Sequence, residues 1–150
     1  MKIIIGAGIT TFDGWTSTQE TELNLLNRAD FERMFKTEKP TAFLAEHVWE
    51  HMTLEDGIIA AQNCFDFLND SGYIRVAVPD KNFRNEWYQN MVKVGGNGDP
   101  NHPALRIKLF MIINSFVWFL KKLDSRWNSL NTVTKTDTFT TSTGTKLTVR

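Results

Sequence analysis

The sequence predicts an α/β fold, a mostly parallel sheet with flanking helices, in one domain-sized chain of 150 residues. Short apolar runs, KIII at 2–5, TAFLA at 41–45 and YIRVAV at 73–78, read as buried strands because none has a helical polar face. Between them lie segments whose apolar residues recur at three and four, around Phe31, Met34 and Phe35 and again from Leu54 to Leu68. Polar and glycine residues follow each run: Gly6 to Gly8, Glu46 and His47, and Asp80. In an open α/β sheet, ligands bind outside the carboxyl ends of the strands, where these residues fall.

The first strand runs into Gly6, Ala7 and Gly8, where glycines allow positive φ or a close approach of backbone to a ligand. Only residues 6–14 separate it from the next strand-like segment, WTSTQ at 15–19. A parallel crossover needs a dozen residues or more, so the first crossover helix is expected to be missing or reduced to a turn. The second strand ends at Gln19 and Glu20, which suit the hydroxyls of a ribose or, alternatively, a solvated strand end. LNLLN at 23–27 leads into a helix over RADFERMFK, with Phe31, Met34 and Phe35 as core.

Thr53 and Asp56 form a capping-box-like start for the next helix, whose buried face is expected at Leu54, Ile58, Ala61, Phe65 and Leu68. NDSG at 69–72 closes it, and Pro79 stops the strand that follows. Phe83, Trp87 and Met91 mark a last helix, about 82–94, ended by Gly95 and Gly96 and followed by the loop GGNGDPNHP at 95–103.

Composition narrows the function classes. Seventeen basic residues balance 17 acidic ones with no basic run, so no nucleic-acid partner is expected. The single Cys64 provides no disulfide framework and reads as a small buried hydrophobe, in keeping with a reducing, cytoplasmic setting. MKIII is too short for a signal peptide's apolar region, and the apolar run 109–120 is too short to cross a bilayer. That run, with 107 and 108 before it, would favour self-association if exposed.

HVWEH at 47–51 matches H-x-x-E-H, the inverted zinc-peptidase signature, in which two imidazoles bind the metal and the glutamate acts as base. That chemistry needs both histidines on one helical face. Here the residues before His47 read as a strand and the helix cap falls after His51, so no metal ligand set is assigned.

The order of the motifs is similar to that of the class I S-adenosylmethionine (SAM)-dependent methyltransferases, in particular a compact branch of the methyltransferase type 11 group. The segments that carry the resemblance are GAG at 6–8, GW at 14–15, AEHVWEH at 45–51 and SGYIRVAVPD at 71–80, in order over about residues 2–104. It implies a reduced Rossmann-like class I methyltransferase fold with SAM as cofactor. Gly6, Ala7 and Gly8 would pass along the methionine part, Gln19 or Glu20 would hold the ribose, and Asn24 and Leu25 would flank the adenine. Glu46 and His47 would close the site near the sulfonium. Gln19 stands where relatives often carry a carboxylate.

The reaction implied is in-line displacement of a methyl group, in which the protein aligns the acceptor and removes its proton where needed. His51 and Asp80, at strand ends, are the candidates for base or acceptor contact. The structural alternatives are a helix-start histidine and an aspartate capping the helix at 82–94. With no basic run and no second domain, the acceptor reads as a small molecule or a saccharide.

From Leu105 the resemblance lapses, and residues 123–150 become a threonine-rich string with little apolar patterning. This segment reads as a disordered tail, as a β-hairpin of TDTFT and KLTVR, or as a frameshift product. Read with the third base of each codon and the first two of the next, residues from Lys122 onward can encode AGFKVELIEYCDEDGYFHY, which resembles the end of such a methyltransferase. In that frame Trp127 and Asn128 must give Glu, and Met111 and Ile112 must give Asp. The expected division is a methyltransferase-like domain over 1–122 and an aberrant tail over 123–150, with the last strands of the sheet missing or degraded. The alternative functions are then a non-catalytic remnant of such an enzyme or, from the match at 47–51, a zinc metallopeptidase of the H-x-x-E-H type.

Overall fold

The computed structural model describes residues 1–80, 84–94 and 108, together with the backbone of 133–134 and 145–149. Four strands lie parallel: β1 (Lys2–Ile5), β2 (Thr16–Ser17), β3 (Ala42–Glu46) and β4 (Tyr73–Val78). The helices are α1 (Arg28–Met34), α2 (Leu54–Phe67) and α3 (Glu86–Val92), with a 3-10 turn at Trp49–His51. Two further strands, β5 (Val133–Thr134) and β6 (Thr145–Val149), complete a sheet of order β2-β1-β3-β4-β6-β5. β6 runs antiparallel to β4, and β5 antiparallel to β6. The last strands are thus reduced rather than missing, since β5 has only two residues. KLTV of the hairpin reading lies in β6, whereas TDTFT lies outside the described residues.

The strand order reverses beside β1. The chain steps from β1 outward to β2 on one side, then crosses to β3 and β4 on the other. In doubly wound sheets this switch point opens a crevice at the carboxyl ends of the two diverging strands, here β1 and β3. The passage from β1 to β2 contains no helix, as the short spacing predicts. Turns bond Thr10 N to Ala7 O (2.8 Å) and Trp15 N to Phe12 O (3.1 Å) instead.

Alternation along the strands sends Ile3, Ile5, Phe43, Ala45, Ile74, Val76 and Val78 into the main core, against Phe31 and Phe35 of α1 and Ala60, Ala61 and Cys64 of α2. Phe31 meets Phe43 edge to face at 6.5 Å between ring centroids. Ile4 and Leu44 point the other way and cluster with Ala7 and Trp15. Arg28 ties α1 to α2 through a 2.6 Å bond from Nη1 to Asp66 Oδ2.

The Thr53 cap forms as expected, with its hydroxyl accepting from Asp56 N at 3.1 Å. The buried face of α2 agrees with the expected one at Ala61, which is buried, and at Phe65 and Leu68, which pack partly buried against the core, and differs at its start. Gly57, Ala60, Ala61, Asn63 and Cys64 face inward, while Leu54 and Ile58 are 45% and 39% exposed. Trp49 packs at this face: its buried indole donates to Gly57 O (3.2 Å), and a Cβ on Gly57 would make ordinary contact with its Cδ1 at 3.5 Å.

The last helix is also shorter than the sequence suggests. It begins at Glu86 behind an Asn85 cap that accepts from Tyr88 N (2.9 Å), so Asp80 does not cap it. Tyr88 and Val92 turn inward and Trp87 is 72% exposed. Phe83, the loop 95–103 and the apolar run 109–120 lie outside the described residues. No helix among the described residues is long and apolar enough to cross a membrane.

Candidate functional site

At the end of β1 the backbone turns left-handed at Gly6 (φ 59°) and Gly8 (φ 56°). Both positions need glycine, for different reasons. A Cβ on Gly6 would press on Val48 Cγ2 at 2.9 Å, while a Cβ on Gly8 would meet nothing within 4 Å. Gly6 is therefore packed and Gly8 faces open space.

The turn is fastened to the end of β2. Ala7 N donates to Thr18 O (2.9 Å), and both the amide and the hydroxyl of the buried Thr18 donate to Ile4 O (2.9 Å each). Gln19 Nε2 donates to Gly8 O at 2.8 Å, and Gln19 N to Glu22 Oε2 at 2.8 Å. The amide explains why glutamine can stand here: a carboxylate has no hydrogen to give Gly8 O. Glu20 is exposed beside it.

Asn24 and Leu25 sit in the loop that follows. Asn24 N donates to Asp30 Oδ2 (3.0 Å), and Arg33 donates to the other carboxylate oxygen at 2.7 Å. The Asn24 amide first, and then Arg33, hold the Asp30 carboxyl below its usual range. Leu25 turns its side chain into the core, and its carbonyl accepts from Asn63 Nδ2 (2.9 Å).

The pairing of Ile5 with Ala45 makes Gly6 and Glu46 neighbours as the two chains leave the sheet. His47 then takes φ 58°, and its amide donates to Ala77 O of β4 at 2.9 Å. It is the one non-glycine residue with positive φ among the described residues, a conformation costing about 1–2 kcal/mol for an L-residue. Its Nδ1 lies 3.0 Å from Glu50 Oε1. The side chain of His47 is 50% exposed and that of Glu50 only 2%.

Beyond the ends of β3 and β4 the polar groups gather. Glu50 Oε2 and His51 Nδ1 are buried with no hydrogen-bond partner among the described residues. The Tyr88 hydroxyl is pushed up to about 12, first by burial and then by the charges of Glu50 and Asp80. Asp80 O accepts from Gln89 Nε2 at 3.0 Å. His51 closes the 3-10 turn rather than starting α2, which begins at Leu54. Lys108 N donates to Glu50 O at 2.8 Å.

The structure therefore brings Gly6, Ala7, Gly8, Gln19, Glu46 and His47 together at the switch point. His51 and Asp80 stand on the side of β3 and β4, and Asn24 on the side of β2. Sequence reasoning places Glu50 at the carboxyl end of the strand and as the base of the zinc signature, and misses it as the buried partner of His47. The signal was present: residues three apart meet on one side of a tight turn. The zinc-peptidase signature calls for both histidines on one α-helical face, whereas residues 47–51 form a strand end and a 3-10 turn. No cluster of three ligating side chains occurs among the described residues. Burial pushes the Cys64 thiol up, which removes it as a nucleophile.

No family model and no curated protein sequence matches the chain. Sixteen solved chains do match its structure. One is LepI in complex with SAM, at 10% sequence identity and a TM-score of 0.56, over 98% of this chain and 35% of that one. The chain thus spans about a third of that protein's length. The likeness shows a shared fold, the Rossmann-like α/β arrangement with a parallel sheet and flanking helices.

Proposed function

We propose that this protein is a SAM-dependent methyltransferase that acts on a small-molecule or saccharide acceptor. The observation that carries the reading is the left-handed Gly6–Gly8 turn at the switch point between β1 and β3, packed at Gly6 and open at Gly8. A backbone without side chains, facing open space at a strand end, fits the close approach of a cofactor. A neighbour of the same fold that is complexed with SAM supports the identity of that cofactor.

Gly6, Ala7 and Gly8 would pass along the methionine part, Gln19 or Glu20 would hold the ribose, Asn24 and Leu25 would flank the adenine, and Glu46 and His47 would close the edge near the sulfonium. When bound, SAM supplies an activated methyl group. The chain's own part is to align the acceptor and manage its proton, with His51 and Asp80 on the acceptor side. A balanced net charge and a lone buried cysteine support a cytoplasmic enzyme without a nucleic-acid substrate.

Calorimetric titration of the full chain with S-adenosylhomocysteine, alongside a Gly8→Leu variant, tests the reading. A leucine at Gly8 extends into open space and so blocks a ligand there, and the strain of its left-handed backbone is followed by the variant's thermal melting. Saturable binding that this substitution abolishes supports the cofactor site. A folded chain that binds no S-adenosylhomocysteine overturns it and leaves a non-catalytic remnant.

A further inference from the structure

We propose that the groove beside α3, lined by Arg84, Asn85, Glu86, Gln89 and Asn90 and bordered by Trp87, binds the sugar ring of a saccharide acceptor. Its use as an acceptor subsite rests on the methyltransferase reading; the sugar site itself does not.

The groove holds about 610 Å³, within the roughly 300–1,000 Å³ of small-molecule sites. All five lining side chains are polar, whereas most such sites are apolar walls with a few polar groups. Arg84 and Glu86 contribute one charge of each sign, so the lining selects neither an anion nor a cation. A neutral ligand dense in hydroxyls answers that lining.

Its individual groups complement a hydroxyl, which both donates and accepts. Asn85 Oδ1 accepts from Tyr88 N at 2.9 Å, and Asn90 Oδ1 accepts from Lys93 Nζ at 3.0 Å. Each amide thus has its oxygen engaged within the chain and an NH2 group to donate to a ligand. Arg84 adds guanidinium donors, and the carboxylate of Glu86 accepts. Arg84, Asn85, Glu86 and Asn90 are all exposed.

Trp87 distinguishes a sugar ring from an open-chain polyol. Residues three apart share one side of a helix, so Trp87 adjoins the groove at Asn90. It is 72% exposed, while α3 packs through Tyr88 and Val92. A large indole held in water does little for the fold. The face of a pyranose that carries its axial C–H bonds stacks on such a ring, which leaves the hydroxyl edge to the polar groups beside it.

The groove also adjoins the proposed site of methyl transfer. Gln89, one of its lining residues, donates from Nε2 to Asp80 O at 3.0 Å, just beyond β4. An acceptor would approach from that side.

The test is NMR of the full chain with methyl α-glucoside, methyl α-galactoside and methyl α-mannoside, and with glycerol as the open-chain control. Saturation transfer reads the affinity, and the indole N–H signal of Trp87 reads the place. The expected result is saturable binding of at least one of the sugars that shifts the Trp87 signal, with no such shift from glycerol. Trp87→Ala and Asn90→Ala should each weaken that binding by about fivefold or more, while thermal melting and titration with S-adenosylhomocysteine stay unchanged. The proposal is overturned if none of the three sugars shifts the Trp87 signal, if glycerol shifts it equally, or if either substitution leaves the affinity unaltered. Should Trp87→Ala not fold, Asn90→Ala and the unaltered chain decide. S-adenosylhomocysteine binding without sugar binding sinks the saccharide site alone, and sugar binding without S-adenosylhomocysteine binding sinks the methyltransferase reading alone.

Discussion

A Cβ on Gly6 would lie 2.9 Å from Cγ2 of Val48, so the turn after β1 and the turn after β3 are fitted to each other at a single hydrogen atom. Gly6→Ala should combine the left-handed backbone cost of about 1–2 kcal/mol with an overpacking cost of about 1–3 kcal/mol. Urea unfolding measures the sum. Val48→Ala in the same chain should recover only the contact part, and Gly8→Ala, whose Cβ meets nothing within 4 Å, should show only the backbone part. Equal losses for Gly6→Ala and Gly8→Ala would rule out the packing account.

Gln19 joins β2 to the glycine turn by donating from Nε2 to Gly8 O at 2.8 Å. Gln19→Glu puts an acceptor opposite an acceptor and should loosen the turn. A neutral bond of this kind contributes about 1 kcal/mol, so S-adenosylhomocysteine should bind about fivefold more weakly to Gln19→Ala by calorimetry. A tighter complex with Gln19→Glu would mean that the ribose contact outweighs the turn.

The Asp30 carboxyl, held below its ordinary 3.8 by the Asn24 amide and Arg33, makes part of the stability pH-dependent. A depressed folded pKa means that the contribution is complete above the unfolded value and is lost as pH falls through the folded one. Urea midpoints of the unaltered chain should therefore fall below pH 3.8, while Asp30→Asn should be weaker at neutral pH and flatter across that acid range. Parallel pH curves for the two chains would contradict this.

Cys64 is 2% exposed and its thiol is pushed up by burial. A thiol reagent at neutral pH should leave the native chain unlabelled and react fully once urea unfolds it. Labelling of the native chain at the rate of free cysteine would place Cys64 outside the core.

The division into a methyltransferase-like part over 1–122 and an out-of-frame part over 123–150 is a proposal that DNA sequencing decides. Bases across the codons of Ala104, Asn114 and Lys122 should spell the shifted peptide, with Glu across Trp127 and Asn128. Bases that do not spell it end the idea.

What the sequence determined by itself is what depends on near neighbours. Apolar runs and their glycine or proline ends placed β1, β3 and β4, and the few residues between Ile5 and Thr16 excluded a crossover helix. Thr53 and Asp56 marked the start of α2, because a cap is a bond between residues three apart. The GAG turn and the EH step at the end of β3 were likewise visible, since both belong to strand ends.

Tertiary structure decided what depends on volume and on partners distant in sequence. Periodicity favoured Leu54 and Ile58 beside Ala61 for the inner face of α2, but the helix turns Gly57 and Ala60 inward with Ala61, and the Trp49 indole bonds to Gly57 O. Tyr88 rather than Trp87 faces in on α3, and Asn85 rather than Asp80 caps it. The pairing of Ile5 with Ala45 set Gly6 against Val48 and left Gly8 open, a distinction between two glycines of one motif that no local rule contains. The His47–Glu50 pair is local in spacing, but burial of one partner and exposure of the other follow from where the sheet ends.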